Sequence, residues 1–147
     1  MVSIVTESID VNSAVTAVTT TAAGAVDVFI GTTRDNSKGR KVLQLEYEAY
    51  TPMATKKMEM IEREAAERWE IQQIAMVHRV GIVPPGEASV VIAVSSAHRD
   101  EAFKACRYLI DRLKEVVPIW KREYFADGTV EWSQHTHEQN TAGQIGQ

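Results

Sequence analysis

Two hydrophobic periods divide this chain. Val26, Val28 and Ile30 alternate with Asp27 and Phe29, and this two-residue period predicts a strand. Leu43, Leu45 and Tyr47 alternate with Gln44, Glu46 and Glu48, which predicts a second strand with those three residues on one face. A hairpin is the expected connection between the two. Strand signals return at Ile74–Val80 and at Ser89–Ser95. The latter carries Val90-Val91-Ile92-Ala93-Val94, apolar on both faces, so it should be central and covered. Ile119–Phe125 and Thr129–Trp132 flank Asp127-Gly128, a hairpin turn signal. Ser3–Thr6 fits a short strand, and Pro84-Pro85-Gly86 forces a turn.

The longer period marks helices. Ala54, Met58, Ile61, Ala65 and Trp69 follow helical spacing behind Thr51-Pro52, with Thr51 as the expected N-cap and Pro52 at the first helical position. A second helix is predicted from about Asp100 to Val117, with Phe103, Cys106, Ile110, Leu113 and Val117 on its apolar face and Pro118 stopping it. Val11–Val18 fits a weaker helix capped by Asp10. The fold class expected is α+β: a single domain with a mixed or antiparallel sheet and two main helices. Residues 1–23 read as an N-terminal segment, 24–132 as the domain and 133–147 as a loose polar tail. Internal repeats, a glycine-rich βαβ fingerprint and a phosphate-binding Walker loop are not found in the sequence.

Charge and composition narrow the functions. With 16 Lys and Arg against 20 Asp and Glu among 147 residues, the chain lacks the basic surplus of a general nucleic-acid binder. No run is apolar and long enough to span a bilayer, and Met1–Asp10 does not read as a secretory signal, so a cytoplasmic location and no membrane partner are expected. The single cysteine, Cys106, excludes an internal disulfide and any multi-cysteine metal cluster. Its place on an apolar helix face reads as core filling rather than reactivity. His135-Thr136-His137 stands in the tail without acidic or cysteine partners, so no metal and no cofactor are expected.

The candidate chemistry is cationic. Ser96-Ala97-His98-Arg99-Asp100 joins a buried strand to a helix, where free N–H groups and an arginine can form an anion site; from this junction alone, a solvated turn with a surface arginine is the slightly favoured reading, since such turns are common. Lys114 lies one residue after core Leu113, and Lys121 follows Trp120 just past Pro118. A helix that breaks at proline and returns as a strand can bring the two side chains to one cleft, where close ammonium groups disfavour each other's charge and one can serve as nucleophile or base. A lone lysine, however, is mostly a solvated surface residue. Arg34 opens the run Arg34-Asp35-Asn36-Ser37-Lys38-Gly39-Arg40-Lys41, which reads as a mobile loop that can order around phosphate or simply remain solvated. His78, flanked by Val77 and Arg79 within a strand, reads as structural or partly exposed.

Six stretches in order carry a resemblance. They are Gly31-Thr32-Thr33-Arg34; Leu45-Glu46-Tyr47-Glu48-Ala49-Tyr50 with Met53-Ala54; His78-Arg79-Val80-Gly81; Pro85-Gly86-Glu87; Ser96-Ala97-His98-Arg99 with Ala102-Phe103; and Leu113-Lys114 followed by Pro118-Ile119-Trp120-Lys121-Arg122-Glu123. Over about residues 24–132 the chain resembles the molybdopterin synthase large-subunit family. The resemblance implies an α/β-hammerhead type fold and a homodimer within a heterotetramer. A small ubiquitin-like sulfur-carrier subunit would dock at each end and insert a C-terminal Gly-Gly thiocarboxylate. The implied reaction transfers two sulfurs to cyclic pyranopterin monophosphate, forming the dithiolene of molybdopterin in molybdenum cofactor biosynthesis. It further implies Lys114 and Lys121 as catalytic and substrate-contacting, and Thr32, Thr33, Arg34, His98, Arg99, Arg122 and Glu123 as substrate-binding. Thr33 stands where the family more often has an aliphatic residue. The rival expectation from another class is a non-catalytic module that binds a phosphorylated small molecule with the same cations.

Overall fold

The computed structural model describes residues 1–134. Its elements are β1 (Val2–Val5), α1 (Val11–Val18), β2 (Ala25–Thr32), β3 (Asn36–Ser37), β4 (Arg40–Ala49), α2 (Thr51–Arg68), β5 (Gln73–Arg79), β6 (Gly81–Val83), β7 (Ala88–Ser96), α3 (Arg99–Val116), β8 (Ile119–Phe125) and β9 (Val130–Gln134). The mixed α+β class is as expected, with the strands divided between two sheets. One has the order β1-β5-β7-β2, with β1 parallel to β5 and the other pairs antiparallel. The other runs β3-β4-β8-β9, and β6 pairs with the second edge of β4. β9 extends past Trp132 to Gln134, so the first residues assigned to the tail are strand; His135 and His137 lie outside the described residues.

β7 is central and buried along almost its whole length, as its two-sided apolar run requires. Its even residues Val90, Ile92 and Val94 join Ile74 and Met76 of β5 in the main core, against Met58 and Ile61 of α2 and Leu109 and Leu113 of α3. Each large apolar side chain buried there contributes about 1.5–3 kcal/mol. The odd residues Val91 and Ala93 pack on the other face with Ala14 and Val18 of α1. That short helix forms because its apolar face has this sheet to cover and Asp10 caps it, accepting from the Ser13 N–H at 3.2 Å.

Several expectations change once strands find partners. β2 does not form a hairpin with β4; it pairs with β7 in the other sheet. The hairpin is β3–β4, closed by Lys38 and Gly39 with φ of 54° and 79°, the paired left-handed conformation of a tight two-residue turn. The cationic run is therefore an ordered hairpin, and its Arg40 pairs with Asp127 and Glu131 and lies over the Phe125 ring. A bulge between Val42 and Gln44 moves Val42 inward and leaves Leu43 exposed, although Leu45 and Tyr47 keep the buried face. Helix α2 starts at Thr51, so Tyr50 occupies the cap position without a side-chain hydrogen bond. On α3, Phe103 is exposed while Ala102, Ala105 and Leu109 are buried, and on β2, Val26 and Ile30 are exposed while Phe29 meets the core. Among the described residues no helix is long and apolar enough to cross a membrane.

Candidate functional site

Strand β8 shows where the core is interrupted. Ile119 and Phe125 are buried at its two ends, so the alternation places Lys121 and Glu123 on the same inward face. Apolar residues would complete that face; a lysine and a glutamate there cost solvation unless the face opens on a polar cavity. It does. A cavity of about 210 Å³ lies at the seam of the two sheets. Sheet two contributes Leu45, Tyr47, Lys121 and Glu123; sheet one contributes Phe29, Gly31, His78 and Val90. The C-terminal half of α3 closes it with Ile110, Leu113 and Lys114. Thr32 and Arg34 stand at the rim where β2 ends.

The lysine pair is thus brought together as Pro118 requires: α3 ends at Val116, the chain turns, and β8 returns beside Tyr47, the cross-strand partner of Lys121. Lys114 sits in the last turn of α3, where a cation is favoured by the helix carbonyls. Three cations, Arg34, Lys114 and Lys121, face one carboxylate, Glu123, in a chain whose formal net charge is −4. Such a pocket suits an anion with polar edges, and an amine beside it can act as nucleophile or proton carrier.

The remaining expected residues are elsewhere. Arg122 points to the outer face of the sheet, 3.6 Å from Glu46 and 3.8 Å from Glu48, with its guanidinium 4.0 Å over the Trp132 ring. Strand alternation makes this unavoidable once Lys121 and Glu123 point inward. Thr33 is buried, and its backbone ties β2 to the 84–87 turn, donating to Glu87 O at 3.1 Å and accepting from Gly86 N at 2.8 Å. His98 and Arg99 line a separate hollow with Gly24, Ala97, Asp100 and Phe103. Gly24 is required there, because a Cβ would stand 2.4 Å from the Ala97 carbonyl oxygen. Arg99 and Lys114 are fifteen residues apart on one helix, about 22 Å along its axis. Their side chains do not meet within one protomer.

Two further residues line the cavity that the sequence did not place at the site: His78, expected to be structural or partly exposed, and Tyr47, expected only as a strand residue, their rings 5.1 Å apart and edge to face. The available signal was a histidine on the core-facing row Ile74, Met76, His78, where an apolar residue is expected. Burial holds this imidazole neutral, lowering its pKa to about 4, and the charge of Lys114 acts in the same direction. Cys106 is buried on α3, and desolvation, assisted by Asp27, pushes its thiol up to about 12, which leaves it a poor nucleophile. No group of three or more metal-ligating side chains is found among the described residues.

The family model described as MoaE protein matches residues 4–116. The chain is 50% identical over 112 residues to the molybdopterin synthase catalytic subunit of Rattus norvegicus, an alignment covering 76% of this chain and 56% of that protein. It is 50% identical over 106 residues to that of Bacillus subtilis (strain 168), covering 72% of this chain and 68% of that one. The crystal structure of molybdopterin synthase from Staphylococcus aureus superposes with a TM-score of 0.85 at 43% identity, over 90% of this chain and 96% of that chain. The chain thus spans little more than half the length of the rat relative.

Proposed function

This chain belongs to the MoaE protein family, and from that premise we propose that it is the catalytic subunit of a molybdopterin synthase, transferring sulfur from the C-terminal thiocarboxylate of a small ubiquitin-like carrier to cyclic pyranopterin monophosphate. The observation that carries the reading is the polar cavity at the seam of the two sheets, which Lys114, Lys121 and Arg34 line together. Arg34 and the lysines supply charge for the cyclic phosphate. Lys114 carries the covalent or acid–base work at the thiocarboxylate and the substrate, and Lys121 is its electrostatic partner; Glu123 and Thr32 supply polar contacts. The sulfur comes from the partner, because the single thiol of the chain is buried and held protonated. A reducing cytoplasm suits both that thiol and a thiocarboxylate.

The site as proposed needs a second copy. His98 and Arg99 are assigned to the substrate by the resemblance, yet they stand at the far end of α3 from Lys114. A homodimer in which one protomer presents His98 and Arg99 to the pocket of the other reconciles the two. Exposed Phe103, which lines the hollow, gives that dimer an apolar contact there. Phe103 also borders a trough that runs along α3 past Cys106 and Ile110 to Lys114. The deciding experiment mixes the protein with a thiocarboxylated small subunit and the cyclic pterin and measures dithiolene product. Binding of the pterin without product under single-turnover conditions would favour the non-catalytic module instead.

A further inference from the structure

His78 sits at the floor of the pocket with its ring fully buried, at the end of the apolar row formed by Ile74 and Met76. A residue there for packing alone would be apolar, since burying an imidazole costs solvation. Its orientation is set: Nδ1–H donates to the Arg79 carbonyl at 2.9 Å, which makes Nε2 the lone-pair nitrogen. The ring edge meets Tyr47, the cross-strand partner of Lys121. Charged and titratable groups line the same cavity from every side: Tyr47 on β4, Lys121 and Glu123 on β8, Lys114 on α3, and Arg34 after β2. A second buried cation would be repelled by this company, whereas a neutral acceptor is not.

We propose that His78 is a positioning residue of the sulfur-transfer site, its Nε2 lone pair being the acceptor on which the Lys114 side chain is aligned during turnover. The inference rests on the reading that Lys114 does the chemistry. An amine that gives one N–H to a fixed acceptor has its remaining orientations restricted, and correct orientation at the reacting group lowers the barrier without adding to ground-state binding. The neutral imidazole contributes no charge to phosphate recognition, so its removal should lower kcat and leave KM for the cyclic pterin in place.

The test compares three substitutions in the complete assembly with the thiocarboxylated small subunit. His78→Leu keeps volume and removes the acceptor; kcat should fall at least about tenfold with KM unchanged. His78→Gln carries an amide oxygen to the Nε2 position and should recover most of the rate. His78→Asn reaches only the Nδ1 position and should behave as the leucine variant does; should the leucine variant fail to fold, the glutamine and asparagine variants decide. Wild-type kcat in a folded leucine variant, a rise in KM alone, or equal loss in the glutamine and asparagine variants overturns the proposal. A second readout separates it from the functional reading: acetylation of Lys114 by a small activated ester, mapped by mass spectrometry. Should the wild type make no dithiolene, the sulfur-transfer reading fails. A Lys114 acetylation rate that drops in the leucine variant and returns in the glutamine variant still supports the role of His78; an unchanged rate sinks it.

Discussion

The two ends of α3 both present cations, and they differ in everything else. At the N-terminal end, His98 and Arg99 are exposed in a shallow hollow, and the free N–H groups of the first turn already favour an anion. At the C-terminal end the helix carbonyls disfavour an anion, so the positive charge comes from side chains: Lys114 on the helix, Lys121 across the seam and Arg34 at the rim. That end is enclosed by two sheets. Lys121 is half-buried there while Lys114 and Arg34 reach solvent at the mouth, so the lower dielectric of the walls strengthens the charge of Lys121 most. A helix start gives affinity cheaply; a walled pocket gives chemistry.

Mixed dimers break or sharpen this contrast most strongly. Lys114→Ala should abolish dithiolene formation while fold and dimer persist, because the side chain is exposed beside the core rather than in it. Arg99→Ala should be severely impaired as a homodimer. If the two ends serve one site in trans, mixing the inactive variants should restore activity, since a mixed dimer holds one site with both wild-type residues. Mixed dimers that stay as inactive as their parents would return His98 and Arg99 to the status of a surface turn.

Binding measurements set the rim of the pocket against the outer face of β8. Arg34→Ala should weaken the cyclic pterin by about one to two orders of magnitude, as loss of a charge-assisted contact of roughly 1.5–3 kcal/mol implies. Arg122→Ala, on the outer face, should leave that affinity unchanged. Calorimetric titration of both variants checks the assignment, and a comparable loss in the two would mean that the strand's outward face also meets substrate.

The floor of the pocket makes stability depend on pH. The folded chain holds His78 neutral down to about 4, whereas the unfolded chain takes up a proton near 6.5. Between those values the unfolded state binds the extra proton, so stability is fully present above 6.5 and falls as pH drops towards 4. The loss from this group is roughly 3 kcal/mol. Urea unfolding of the wild type and His78→Gln at pH 7 and 4.5 isolates it: the variant should lose less, and parallel losses would contradict the burial argument.

Midway along α3, Cys106→Ala should keep sulfur transfer and cost on the order of 1 kcal/mol of stability. Complete loss of transfer in a well-folded variant would mean that sulfur passes through this chain after all.

Local signals were enough for much of the fold. The helical stripe of α2, the Asp10 cap, the covered strand β7 and the Asp127-Gly128 turn all follow from periodicity and turn chemistry, because each depends on residues a few positions apart. The same reasoning failed where a partner strand decides the outcome. Leu43 follows its strand's period and is exposed, because a bulge against β8 adds one residue to the register. Phe103 fits the helical stripe and is exposed, because no described element covers that end of α3.

For the site, the sequence by itself determined the ingredients: six ordered stretches, the cations at positions 34, 99, 114 and 121, and a lone cysteine on an apolar face. Only the tertiary structure decided which of them meet. It turned Lys121 and Glu123 inward and Arg122 outward, seated His78 beneath the lysines, and set Arg99 a helix length from Lys114. The physical reason is that side-chain direction is fixed by strand register and helix length, both of which are settled by packing between segments far apart in the chain.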